Sequence, residues 1–179
     1  MSDADAARWD ARHAVATVAV PMPPDALRGR EELLPAGGAA LDVACGRGVV
    51  AAWLAERGFA VDAVDVSPVA IAAGERLAPG VRWWCHDLDR GLPDGCVGPY
   101  DVVVCQRFRD LTLYPVLRRV LAPGGLLVVT VLSEVDDEPG PFRAPAGELL
   151  AEFGDLDVVA HREGDGEASL VAREGAASR

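Results

Sequence analysis

Three aspartates close or follow short apolar runs: Asp42 in "LDVACGRG" (Leu41 to Gly48), Asp65 in "VDAVDVS" (Val61 to Ser67) and Asp87 in "HDLD" (His86 to Asp89). A carboxylate at such a place can hold an ammonium group by charge, or accept hydrogen bonds from hydroxyl and amino groups. Gly46 and Gly48 follow Asp42 closely, and glycine lets a backbone pass against a ligand where a Cβ would clash. The pattern calls for a ligand that needs both a glycine turn and nearby negative charge.

Taken alone, "GRGVVA" fits the G-x-G-x-x-A form of a dinucleotide site, with Asp65 placed for ribose hydroxyls. Asp42 argues against that reading. Its charge would repel a pyrophosphate and attract an ammonium. S-adenosylmethionine carries an ammonium for Asp42, a ribose for Asp65 and an adenine for Asp87, whose carboxylate can accept from the amino group. The Leu88 amide is then available to a ring nitrogen. Asp42 could instead anchor backbone amides of the turn, and the two roles are compatible.

The elements that must position these groups alternate. "AALDVA", "AVDAVDV", "VRWWC", "YDVVVC" and "GLLVVTVL" read as strands buried on both faces. Between them, "VVAAWLAER" reads as a helix ending at Gly58, "SPVAIAAGERLA" as a helix capped by Ser67, and "LTLYPVLRRVL" as a helix with an internal proline. The predicted class is α/β, an open, doubly wound and mostly parallel sheet whose ligands sit beyond the carboxyl ends of the strands. "SEVDDEPGPFRAPAG" (Ser133 to Gly147) is a long acidic loop of the kind used as a lid or binding segment. A helix at Glu148 to Phe153 and a hairpin of "LDVVAHRE" and "ASLVARE" complete the chain. Upstream, Ala4 to Ala19 is expected to form a helix carrying Trp9, and Asp25 to Leu34 a short one. Residues 1–36 are thus expected to cap a folding unit at 37–179. Trp83 and Trp84 are expected to divide between the core and a helix or the adenine rim.

The 179 residues suit one domain. Net charge is -11, and all 17 basic residues are arginine, so the surface repels phosphate backbones and disfavours nucleic-acid partners. Cys45, Cys85, Cys96 and Cys105 lack zinc-site spacing, so no metal is expected and the thiols are expected to be reduced and mostly buried. No apolar stretch reaches about 20 residues and no cleavage pattern follows "AVATVAV", which predicts a cytoplasmic protein without a membrane span. His13, His86 and His161 are dispersed, with no nucleophile and base pair.

The motifs "LDVACGRG", "VDAVDVS", "HDLD", "YDVVVC" and "LAPGGLLVV" come in the order of class I S-adenosylmethionine-dependent methyltransferases, which the chain resembles most from Leu41 to Val131. "RWDARHA", "WLAERGFAVDAVDVSPVAI" and "PFRAPAGELL" look more narrowly like the small bacterial tellurite-resistance and thiopurine methyltransferase group. The resemblance implies a Rossmann-like sheet of seven strands, ordered 3-2-1-4-5-7-6, with the seventh antiparallel. It implies that Asp42, Ala44, Cys45 and Gly46 surround the methionine part, with Gly48 in the same turn. Asp65 and Val66 would hold the ribose and adenine edge, Asp87 and Leu88 the adenine, and Cys105 would lie near the sulfonium. Ala44 stands where the family often has glycine. Arg107, Arg109 and Asp110 are candidates for holding substrate or for capping a helix, and Arg143 for closing the pocket.

The implied activity moves a methyl group to a small-molecule acceptor and releases S-adenosylhomocysteine. A sulfonium methyl is already activated, so alignment and exclusion of water can suffice. Thiol, metalloid, amine and hydroxyl acceptors all remain open, as does the oligomeric state. An NAD-dependent oxidoreductase and a non-catalytic S-adenosylmethionine-binding module are the alternatives.

Overall fold

A computed structural model describes Asp10 and residues 19–175. Five apolar segments form parallel strands: β1 (Gly38–Val43), β2 (Phe59–Asp65), β3 (Arg82–Cys85), β4 (Tyr100–Gln106) and β5 (Leu121–Ser133). A two-residue strand β6 (Arg143–Ala144) pairs with the far end of β5. The terminal hairpin is β7 (Asp157–Gly164) and β8 (Glu167–Arg173), with β8 inserted antiparallel beside β5. The spatial order is β3-β2-β1-β4-β5-β8-β7. Apart from β6 this is the expected order, with the expected antiparallel strand.

Helices return the chain between parallel strands. They are α1 (Val49–Glu56), α2 (Pro68–Leu77), α3 (Tyr114–Arg119) and α4 (Glu148–Phe153). Helix α2 starts as read: Ser67 Oγ accepts from Ala70 N–H at 3.1 Å, and Pro68 occupies the first turn. In α3 the proline is not internal. Pro115 lies in the first turn, where its missing N–H costs nothing, so the helix starts later than expected.

Side chains alternate across each strand, and that parity builds two layers of core. Leu41, Val43, Val103, Cys105, Leu127 and Val129 face Tyr114 and Leu117 of α3 and Leu149 and Phe153 of α4. Ala40, Val61, Ala63, Val102, Val104 and Val128 face the other way, against Val50, Trp53 and Leu54 of α1. Leu27 joins this second layer fully buried, so the described part of the N-terminal segment packs into the same core as the sheet. It does so without the expected helix. Asp25–Leu27 and Glu31–Leu33 are separate 3-10 turns with an extended Leu34 between them and the sheet, because "RGREE" interrupts the apolar spacing a longer helix needs. The helix expected over Ala4 to Ala19, Trp9 included, lies outside the described residues except for Asp10, which is helical.

The tryptophan pair divides across β3. Trp83 donates from Nε1 to Ala78 O at 3.2 Å and lies over Gly48 and Gly74. Trp84 turns to the other layer and donates from Nε1 to Asp62 at 2.9 Å; this carboxylate is fully buried and also accepts from Tyr100 Oη at 2.8 Å and Arg82 at 2.5 Å. No helix among the described residues is long and apolar enough to cross a membrane.

Candidate functional site

Strand register and parity bring the acids together. Asp42 pairs with Ala63 on one side and Val104 on the other, so Asp42, Asp65 and Gln106 share the face that looks toward α1. At their carboxyl ends lies a cleft of about 370 Å³. Asp42, Ala44, Cys45, Gly46, Asp65, Val66 and Arg107, all singled out from sequence, line it.

The turn after β1 is held by the acid that ends β2. Asp65 Oδ2 accepts from Gly46 N–H at 2.8 Å, and its Oδ1 accepts from Ser67 N–H at 2.9 Å. Each oxygen keeps a second lone pair for another donor. The turn itself uses left-handed backbone at Ala44 (φ 53°), Gly46 (φ 53°) and Gly48 (φ 72°). For Ala44 that conformation costs roughly 1–2 kcal/mol, which glycine would not incur.

Asp42 is the least satisfied group in the cleft. It is 3% exposed, and its Oδ2 has no hydrogen-bond partner. Burial pushes its pKa up to about 7; the Asp65 charge adds to the rise, and the Ala51 amide in the first turn of α1 opposes it. A buried carboxylate left in this state is set to receive a cation. Cys45, beside it, is held as the thiol by burial and by the charges of Asp42 and Asp65.

Other expected residues stand apart from the cleft. Cys105 falls on the opposite parity from Asp42; its thiol is buried against Phe108 O at 3.6 Å, with its pKa pushed up to about 12 mainly by burial. It is a core group, not a cleft wall. Gly48 makes room for Trp83 rather than for a ligand, since a Cβ there would sit 2.1 Å from the ring. Asp87 lies further along the same rim, where the neighbouring His86 N–H donates to Asp65 O at 2.9 Å, and it caps the 3-10 turn Leu88–Arg90. Leu88 buries its side chain in the α3 and α4 layer. Neither is in the wall of the cleft.

Arg109 is taken by structure. Its guanidinium holds Glu148 through both carboxylate oxygens, at 2.8 and 2.5 Å, and Tyr114 Oη donates to the same group at 3.3 Å. Asp110 caps its own turn through Thr112. Arg143 ties the long loop down by donating to Ser133 O and Gly166 O and pairing with Asp137, so it does not close the pocket. No residue between 133 and 147 lines the cleft.

The wall that sequence missed comes from the N-terminal segment. Met22, Pro23, Asp25 and Arg28 join Gln106, Arg107 and Phe108 on the side beyond β4. Gln106 Oε1 accepts from Asp25 N–H at 2.8 Å, a contact 81 residues apart in the chain. Parity could have found Gln106, since it continues Val102 and Val104. Nothing local marks Arg28. Asp10 reaches the opposite side of the site, where it accepts from Ser67 Oγ. No group of three or more histidine, cysteine, aspartate or glutamate residues among those described can hold a metal ion.

Residues 40–125 match the family model described as a methyltransferase domain. Over 109 residues the chain is 37% identical to the ribosomal RNA small subunit methyltransferase C of Chromohalobacter salexigens, covering 53% of this chain and 32% of that protein. It is 34% identical over 104 residues to a ubiquinone biosynthesis O-methyltransferase of a Caulobacter species, covering 52% and 40%. The chain therefore matches about a third to two fifths of the length of these relatives. A TehB-like SAM-dependent methyltransferase from Corynebacterium glutamicum superposes with a TM-score of 0.68 at 17% identity, covering 97% of this chain and all of that one.

Proposed function

We propose that the protein is a class I, S-adenosylmethionine-dependent methyltransferase, a reading supported by the match of residues 40–125 to a methyltransferase domain and by the shared fold, and that it transfers a methyl group from S-adenosylmethionine to a small-molecule acceptor and releases S-adenosylhomocysteine. One observation carries the cofactor's placement: the buried, unpartnered Oδ2 of Asp42 in a cleft whose floor is the Asp65-anchored glycine turn. The residues fit the cofactor. Asp42 would take the methionine ammonium, the free lone pairs of Asp65 the ribose hydroxyls, and Val66 the adenine edge. Asp87 and Leu88, on the rim past Asp65, would reach the adenine only as the nucleoside extends beyond the cleft.

When bound, the cofactor supplies a sulfonium methyl that needs no further activation. The protein's share is to bind, orient and exclude water. A small acceptor is favoured by the net charge of -11, which opposes nucleic acid, even though one relative is named for a ribosomal RNA. Calorimetry with S-adenosylhomocysteine tests the placement. Micromolar-range binding that drops at least tenfold in Asp42→Asn and in Asp65→Ala supports it. Unchanged affinity in both variants, or tighter binding of NADH than of S-adenosylhomocysteine, overturns it.

A further inference from the structure

The three carboxylates of the cleft are not equivalent. Asp65 is spent on two backbone amides, and Asp42 lies buried on β1, where the proposed function gives it the ammonium. Asp25 stands apart from both, among the residues beyond β4, with its side chain 28% exposed. Its place is fixed from three directions. Its N–H donates to Gln106 Oε1 at 2.8 Å, at the tip of β4. It heads the 3-10 turn Asp25–Leu27, whose Leu27 is fully buried against the sheet. Its Oδ1 pairs with Arg28 at 2.9 Å and its Oδ2 with Arg107 at 3.3 Å. Each oxygen keeps a second lone pair, and the anchored backbone gives that lone pair a defined position.

Arg107, which holds Asp25 from the sheet side, has left-handed backbone at φ 58°, with its N–H donating to Thr130 O at 2.7 Å. Such backbone at a residue other than glycine recurs where a site imposes it. Among the described residues the wall contains no histidine or tyrosine, and the Cys45 thiol stays protonated. With the cofactor's ammonium at Asp42 and its ribose at Asp65, the acceptor is left the side of the cleft where Asp25 supplies the carboxylate.

Building on the methyltransferase reading, we infer that Asp25 is the general base of the reaction, taking the proton of an acceptor that enters neutral as a hydroxyl or a thiol. The acceptor's lone pair forms the new bond to the methyl carbon, and the carbon–sulfur bond of the sulfonium breaks with its electrons on sulfur. The acceptor's O–H or S–H bond leaves its electrons on the acceptor as the proton passes to an Asp25 oxygen. A carboxylate is a weak base toward a free hydroxyl or thiol. It need not be stronger, because an oxygen or sulfur that gains the methyl before losing its proton becomes an onium more acidic than any carboxylic acid, so transfer runs downhill as the bond forms. An amine becomes an ammonium that a carboxylate cannot deprotonate, so Asp25 serves oxygen and sulfur and not nitrogen. The exposed edge of Asp25 then passes the proton to water.

The test reads S-adenosylhomocysteine release from phenol, 2-phenylethanethiol, 4-nitrothiophenol and benzylamine by the wild type, Asp25→Asn and Asp25→Glu, with calorimetric affinity for S-adenosylhomocysteine measured beside it. The expected result is turnover of phenol or 2-phenylethanethiol, with kcat lowered about a hundredfold in Asp25→Asn and partly restored in Asp25→Glu, while S-adenosylhomocysteine affinity holds. For 4-nitrothiophenol, which is anionic at neutral pH and has no proton to give, the loss should shrink or reverse. A merely structural Asp25 would slow every probe alike. Equal losses across the probes, benzylamine as the best acceptor, turnover of neither phenol nor 2-phenylethanethiol, or full kcat in Asp25→Asn would each overturn the inference. So would a large loss of S-adenosylhomocysteine affinity in Asp25→Asn, which would assign the residue to the cofactor. Failure of the wild type to bind S-adenosylhomocysteine at all would instead sink the underlying reading.

Discussion

Asp65, the last residue of β2, accepts the Gly46 N–H at 2.8 Å and so holds the turn that follows a different strand, β1. The acid expected only to contact ribose is therefore also the clamp on the glycine turn. Its other oxygen fixes the start of α2 through Ser67 N–H. Ligand affinity and loop geometry share one side chain.

Replacing Asp65 by asparagine leaves one acceptor oxygen and turns an NH2 group toward a backbone donor. The expected loss is about 1–3 kcal/mol of stability, together with at least a tenfold loss in S-adenosylhomocysteine affinity. Chemical denaturation and calorimetry on the same variant read the two effects. A variant of full stability and full affinity would show the clamp to be dispensable.

Asp42 gives a pH dependence with a definite sign. Burial raises its pKa from the ordinary 3.8 of a free aspartate to about 7, so between those values the folded, ligand-free protein holds a proton there that the unfolded chain releases. The stability tied to that proton is complete below pH 3.8 and is lost as pH rises through about 7. Asp42→Asn should thus raise the stability of the empty protein at pH 8 by roughly 2 kcal/mol while abolishing tight ligand binding. In the wild type, ligand affinity should climb from pH 5.5 toward about 7, where Asp42 ionises, and then level off while the ligand's ammonium stays protonated. Titrations across that range would expose a flat profile.

Ala44 occupies left-handed backbone at φ 53° without being glycine. Ala44→Gly should leave affinity intact and change stability by at most about 1 kcal/mol, because relief of strain offsets the greater freedom of the unfolded chain. Ala44→Val, branched at Cβ, should cost roughly 2 kcal/mol or more. Equal melting temperatures for the two variants would contradict this.

Gly48 and Trp83 form a steric pair, since a Cβ on Gly48 would lie 2.1 Å from the ring. Gly48→Ala is expected to destabilise by roughly 2 kcal/mol, and shortening the partner with Trp83→Leu should make the two changes less than additive. A double-mutant cycle gives the coupling directly; simple additivity would remove the contact from the explanation.

Arg109 is expected to matter for folding alone. Arg109→Met strands the buried Glu148 carboxylate and should cost roughly 3 kcal/mol. At a temperature where the variant is folded, its kcat and acceptor KM should match the wild type. A selective fall in kcat would return Arg109 to the chemistry.

How much was legible follows from range. Strand and helix positions were readable because burial on both faces, seen in β1, β2, β4 and β5 but not in the partly exposed edge strand β3, and the caps at Ser67 and Gly58 are local signals, and the strand tips then named Asp42, Gly46 and Asp65. Cys105 was misplaced although strand parity already separated it from Asp42. The helix over Asp25 to Leu34 was misread because burial of Leu27 against the sheet, not helical periodicity, shapes that segment.

By itself the sequence determined the alternating α/β plan and which acids end which strands, since both depend on hydrophobic patterning and turn chemistry within a few residues. Only the tertiary structure decided that Asp42 keeps a buried oxygen without a partner, that Arg109 is spent on Glu148, and that Arg28 comes to stand beside Arg107. Burial, pKa and charge pairing depend on what lies across space, and Gln106 reaching Asp25 over 81 residues of chain leaves no trace in local pattern.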